Sequence, residues 1–224
     1  MHVHVNAAMS ADGKLSTRER RQVEISGATD FARVDRLRGR VDAVMLGVGT
    51  VVADDPSLQR FDTESRASTH GADAAPPARV VVDTRLRTPT DARILAGDPR
   101  TYILHGSTAG ADRRAALEAA GATLVEAGSE RVDLADGLDR LDGLGLDRLL
   151  VEGGGEIIYS LFDRRLVDRL TVFLGPLVIG GRQAPTLADG DGFLTAFPQL
   201  SLEDVSRLDE GVLLEWQVTQ DESG

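Results

Sequence analysis

The sequence predicts an α/β protein with a mostly parallel central sheet, helices on both faces and antiparallel strands at its carboxyl end. Three observations carry that expectation. Apolar runs of strand length alternate with helix-periodic stretches along most of the 224 residues. Within Arg79–Asp83 three valines follow one another, as in a strand covered on both faces. From Leu170 onward the runs follow one another through short connections, which suits antiparallel pairing at a sheet edge.

Taken in order, Val3–Ala8 reads as a first strand. Thr29–Arg38 reads as a helix, because Phe31, Val34 and Leu37 fall at helical spacing and Thr29 or Asp30 serves as N-cap. Asp42–Leu46 is a short strand. Gly47-Val48-Gly49-Thr50 then turns the chain into a short helix closed by Asp54 and Asp55 before Pro56. Glu64–Pro77, rich in Ala, Ser, Gly and Pro, reads as a flexible loop. Arg79–Asp83, Thr101–Leu104 and Thr123–Val125 are strands, with helices at Ala111–Ala120 and Val132–Leu141. The next strand ends at Glu152 and runs into Gly153-Gly154-Gly155, with an amphipathic helix directly behind. Leu170–Val178, Leu200–Arg207 and Gly211–Val218 are the closing strands. No internal repeat or second core stands out, so one domain over 1–224 is expected.

Composition narrows the function classes. A net charge of −11 argues against a general nucleic-acid or membrane-surface binder. No apolar run reaches bilayer length, and Met1-His2-Val3-His4-Val5-Asn6 lacks the pattern of a secretory leader, so a cytoplasmic enzyme is expected. Without cysteine there are neither disulfides nor thiolate metal sites, and the four histidines are scattered, so no metal is expected. Lys14 is the only lysine. Acidic excess with scarce lysine resembles proteins of salt-loving organisms, although a GC-rich genome would also favour arginine.

The glycine run after Val151 carries the strongest chemical signal. Glycines let backbone approach a ligand closely, and N–H groups at a helix N-terminus suit a phosphate or pyrophosphate. A tight turn needing positive φ is the other reading. Glu152 stands at the carboxyl end of its strand, where ligands of open α/β sheets bind. In Gly47–Pro56 the Gly-x-Gly fragment lacks the third glycine of a dinucleotide fingerprint. Asp54 and Asp55 sit unfavourably near a helix C-terminus, which hints at another use for them. Ala11-Asp12-Gly13-Lys14 reads as a turn. There is no nucleophile elbow and no Walker-type loop.

In combination these segments are more specific. Asn6–Lys14, Arg38, Gly47–Pro56, Arg79–Thr84 with Leu86 and Pro89, Glu152–Gly155, Gly180-Gly181, Ala184-Pro185-Thr186 and Gly211–Glu215 occur in one order. That series resembles the reductase family of riboflavin biosynthesis, in its archaeal form and in the reductase half of the bacterial bifunctional deaminase–reductase. The resemblance covers nearly the whole chain. It implies a dihydrofolate-reductase-like fold, NADPH (with NADH possible) across the carboxyl ends of the strands, and a homodimer. The implied reaction is hydride transfer to C1′ of the ribosylamino group of a pyrimidinone 5′-phosphate. A related reductase of another heterocycle, such as a pterin, and a non-catalytic nucleotide-binding protein are the alternatives.

By the same resemblance Ala8, Thr50, Asp54, Thr84 and Leu86 contact the cofactor, and Gly153, Gly154, Gly155, Glu156 and Ile157 cradle its pyrophosphate. Asn6, Arg38, Leu58 and Glu152 face the substrate, with Glu152 and Asn6 in possible catalytic roles and Arg38 on the 5′-phosphate. There are two departures from the bacterial pattern. Phe61, with Arg60 beside it, stands where bacterial relatives carry a second phosphate arginine, and Asn6 stands where they tend to have lysine. Arg85 and Arg87 lie near the loop expected to read the cofactor's 2′-phosphate.

Overall fold

Runs rich in Val, Ile and Leu become strands because branched side chains pack well on a pleated, buried surface. The computed structural model describes residues 1–219. In chain order the strands are β1 (His2–Ser10), β2 (Ala43–Gly47), β3 (Ala78–Val82), β4 (Thr101–His105), β5 (Ala122–Glu126), β6 (Arg148–Val151), β7 (Arg169–Gly175), β8 (Gln199–Leu208) and β9 (Gly211–Thr219). The helices are α1 (Ala28–Arg40), α2 (Val48–Asp54), α3 (Thr63–His70), α4 (Ala111–Ala119), α5 (Leu134–Asp142) and α6 (Gly155–Asp163). Two compact units are defined by the contacts, one of Met1 with Val34–Leu150 and one of His2–Arg33 with the chain from Val151 onward.

In the first unit the strand order is β5-β4-β3-β2-β6, and β2 through β5 pair in parallel. All five residues of β2 and of β4 are buried. Leu46, Val81, Ile103, Leu117 and Leu150 form the centre of its core. Arg79 on β3 is 1% exposed and donates to the carbonyls of Ser57 (3.2 Å), Ala96 (2.8 Å) and Pro99. Its pKa is lowered by burial.

Part of the expected loop Glu64–Pro77 is helix α3. Asp62 caps it by accepting from Ser65 N at 2.7 Å. Buried Arg66 ties it down, donating to Ala75 O (2.8 Å) and Val41 O (2.5 Å). Gly39 of α1 makes room, since a Cβ there would meet Asp62 O at 2.5 Å. The helix buries Ser65 and Arg66, and Thr63, Ala67 and Ser68 stay exposed. A single 3₁₀ turn at Arg93–Leu95, which periodicity does not announce, buries Ile94 completely.

In the second unit the order is β1-β7-β9-β8, with β1–β7 parallel and the other two pairings antiparallel. The expected strand Leu170–Val178 ends at Gly175, where a Cβ would collide with the Ile25 carbonyl. A bulge between Leu202 and Asp204 keeps Leu200, Leu202 and Val205 opposite Val218, Trp216 and Leu214. The N-terminus of α1 is capped from far away. Asp209, in the β8–β9 turn, accepts from Thr29 N (3.4 Å) and Asp30 N (3.1 Å), in place of the expected local cap. Among the described residues no helix is long and apolar enough to cross a membrane.

Candidate active site

In the first unit, α2 starts directly at the carboxyl end of β2 and carries Thr50 and Asp54. Thr50 is half-buried and Asp54 exposed, although partial desolvation raises the Asp54 carboxyl above its usual range. Asp55 closes α2 in a left-handed conformation (φ 41°) and accepts from Arg93 N at 2.8 Å, which accounts for an acid at this helix end. Leu58 (φ 48°, 7% exposed) packs into the core of the unit.

Asp35 gathers two arginines. Its carboxylate lies 2.9 Å from Arg60 Nη2 and 3.5 Å from Arg38 Nη1, and Arg38 also donates to Arg60 O at 3.3 Å. Arg60 stands largely in solvent, whereas Arg38 is mostly covered. Sequence reading left Asp35 out. Its spacing of three from Arg38 on a helix was the available signal.

The turn after β3 is built around Asp83, which is fully buried and accepts from Thr88 N (2.7 Å) and Thr88 Oγ1 (2.8 Å). This holds Leu86 buried at φ 55°. Thr84 receives Val132 N on its hydroxyl (3.3 Å) and Gly106 N on its carbonyl (3.1 Å). Beside this turn, Arg85, Thr108, Glu130 and Arg131 line an open depression following β3, β4 and β5. Arg87 instead approaches Asp83, at 3.9 Å. Thr108 and Arg131 belong to loops that sequence reading did not single out.

In the second unit, partly buried Glu152 leads into Gly153 (φ 149°), a conformation only glycine adopts readily, and the Gly153–Gly154 peptide is cis. Gly154 has no side chain, so α6 starts without a side-chain cap. Gly155 packs against the 186–189 segment, where a Cβ would meet Thr186 O and, at 2.8 Å, Asp189 Oδ2. Glu156 is exposed and lies 3.7 Å from Arg20. Ile157 N donates to Gly154 O at 3.0 Å.

Asn6 on β1 is 6% exposed, and its Oδ1 accepts from Arg33 Nη2 at 2.9 Å. Ala8, two residues on, is half-buried opposite Phe173. Asp12 pins the strand end to a loop, accepting from Ser10 Oγ (2.6 Å), Ile179 N (3.0 Å) and Gly180 N (2.8 Å). Those bonds hold its carboxyl well below the usual range, so it is a structural clasp in the turn. Among the described residues no cluster suited to a metal ion occurs.

The fold is that of dihydrofolate-reductase-like pyrimidine reductases. A pyrimidine reductase-like protein of Corynebacterium diphtheriae superposes with a TM-score of 0.84 at 18% identity, covering 98% of this chain and 92% of that one. The RibD protein of Acinetobacter baumannii gives 0.76 at 24% identity, covering 97% of this chain and 58% of that one. The chain belongs to the RibD C-terminal domain family, whose pattern matches residues 1–214. A 2,5-diamino-6-ribosylamino-4(3H)-pyrimidinone 5′-phosphate reductase of Archaeoglobus fulgidus is 42% identical, over 94% of each chain. A reductase of the same name from Methanothermobacter thermautotrophicus is 41% identical, over 97% of this chain and 98% of that one.

Proposed function

We propose that this chain is an NADPH-dependent reductase of riboflavin biosynthesis, an oxidoreductase that converts 2,5-diamino-6-ribosylamino-4(3H)-pyrimidinone 5′-phosphate to its 6-ribitylamino product. The observation that carries the reading is end-to-end identity of 42% and 41% with two reductases of that substrate. The family pattern runs through both compact units, which supports a single reductase domain over 1–224.

In the first unit, Arg38 and Arg60 hold the 5′-phosphate. Their convergence on Asp35 supports Arg60 in the place of the second phosphate arginine. Leu58 shapes the substrate side, and Thr50, Asp54, Thr84 and Leu86 line the cofactor. In the second unit, Glu152 and Asn6 hold the pyrimidine, Ala8 borders the nicotinamide, and Gly153 to Ile157 accept the pyrophosphate. Gly153, in a conformation that only glycine adopts readily, supports a close approach of the dinucleotide to the backbone here. The cofactor supplies a hydride. The chain's own task is to orient C1′ within about 3–3.5 Å of the donor carbon and to exclude water. Glu152 favours the protonated, ring-opened C=N form, whose positive charge is neutralised when hydride adds to C1′.

NADPH is preferred to NADH in this reading because two guanidiniums, of Arg85 and Arg131, flank one depression with Thr108 and Glu130, and outnumber its one carboxylate for a 2′-phosphate. A homodimer and a cytoplasmic location complete the proposal. Leu200 (40%), Leu202 (55%) and Val205 (54%) are exposed along β8, and a second copy would cover them. The test is cofactor oxidation with this substrate and mass analysis of the product. A gain of two hydrogens is expected, with NADPH preferred and the preference lost in Arg85→Ala/Arg131→Ala. Turnover of a pterin instead, or cofactor binding without turnover, refutes the reading. A monomer in light scattering at working salt refutes the dimer.

A further inference from the structure

We infer that Arg33 is a positioning residue that fixes which end of the Asn6 amide faces the substrate, so that Asn6 acts as a hydrogen-bond donor to the pyrimidinone carbonyl oxygen. This deepens the proposed function and rests on its placement of Asn6 at the substrate. An asparagine amide has one accepting end and one donating end, and they are nearly isosteric, so its environment must decide which way it points. Arginine carries donors and no acceptor. Arg33 Nη2 lies 2.9 Å from the Asn6 amide, and that end must therefore be Oδ1. The Nδ2 hydrogens are then turned away from Arg33.

Arg33 is itself held fast. Its Nε lies 2.8 Å and its Nη2 2.7 Å from Asp30 Oδ1, and Asp30 is 2% exposed. Asp30 and Arg33 lie one helical turn apart on α1, whose first N–H groups are capped by Asp209 from the β8–β9 turn. A Cβ on Gly27 would meet Asp209 Cγ at 2.7 Å, so the approach of this turn requires glycine there. The Asn6 side chain thus ends a chain of charge-assisted bonds, each member locked by the one before it. A flipped amide would set Nδ2 against a guanidinium and leave Arg33 short of an acceptor while mostly buried.

The chemistry selects one edge of the substrate. A pyrimidin-4-one offers a carbonyl oxygen that accepts, whereas its N3–H and its amino groups donate. With Nδ2 presented, Asn6 meets the oxygen. Glu152, an acceptor when ionised, suits the donating groups.

Steady-state kinetics and urea unfolding of four variants test this. Asn6→Ala should lower kcat on the order of a hundredfold. The neutral pair Asp30→Asn/Arg33→Gln, which leaves no buried charge unpaired, should lower it on the order of tenfold, and should add nothing further in the Asn6→Ala background. Asn6→Asp keeps the Arg33 pairing and removes the donor. It should unfold at a urea concentration no lower than the parent and turn over as poorly as Asn6→Ala. It should also bind a 4-aminopyrimidine better than the matching pyrimidin-4-one, reversing the parent's order. Losses that multiply, or an Asn6→Asp enzyme that keeps turnover and the parent's preference, overturn the positioning role. Parent-like kcat in Asn6→Ala instead removes Asn6 from the substrate and defeats the site reading beneath it.

Discussion

His4 makes the fold sensitive to mild acid. It lies two residues before Asn6 on β1, partly buried, with Nε2 2.8 Å from Thr171 Oγ1. Burial lowers its pKa from 6.5 to about 3, helped by Arg169 on β7, His2 on its own strand and Arg33 on α1. The imidazole is therefore neutral in the folded protein across the physiological range. The unfolded chain takes up a proton as pH falls through about 6.5, and the folded protein does not until far lower. Stability from this residue is complete above that pH and is lost progressively on the way down to about 3. At about 1.36 kcal/mol per pH unit, moving from pH 7 to pH 5 costs about 2 kcal/mol. The unfolded state sets that figure, because the folded imidazole stays neutral over the whole interval. Urea unfolding of the parent and of His4→Gln, each at pH 7 and pH 5 in one salt, isolates the effect from carboxylates common to both. The parent should lose about 2 kcal/mol more than the variant over that interval. Equal losses would show that His4 is as free to protonate in the fold as outside it.

Three further outcomes are expected. Gly155→Ala drives a methyl group toward Thr186 O and Asp189, so urea unfolding should show a loss of about 2 kcal/mol, with weaker NADPH binding by fluorescence titration. Arg79→Met strips three carbonyl acceptors of their donor and should cost about 3 kcal/mol in the same assay, with cofactor affinity per folded molecule unchanged. Glu152→Gln should fold normally and lower kcat well below the parent. Unchanged kinetics would remove Glu152 from the mechanism.

Local pattern determined much of this molecule. The period of apolar residues placed the strands, since a buried run such as Val80-Val81 suits a central parallel strand whatever surrounds it. The glycines at 153–155 were legible as a tight turn, because positive φ at Gly153 and the contact of Gly155 with the 186–189 segment exclude side chains. Even the odd acids at the end of α2 were legible as residues with a separate use, which for Asp55 is the bond to Arg93 N.

Tertiary structure decided what depends on partners distant in the chain. The α3 helix hides in a loop-like composition because its cap and its buried Arg66 gain meaning only when Gly39, Val41 and Ala75 are beside them. The cap of α1 comes from Asp209, some 180 residues away in sequence, where no local pattern points to it. The same holds for function. Asn6 is visible in sequence as a polar residue in a strand, but whether it donates or accepts is set by Arg33, and Arg33 by Asp30. Sequence names the residue types, while the direction of each hydrogen bond is fixed by which donors the fold brings against them.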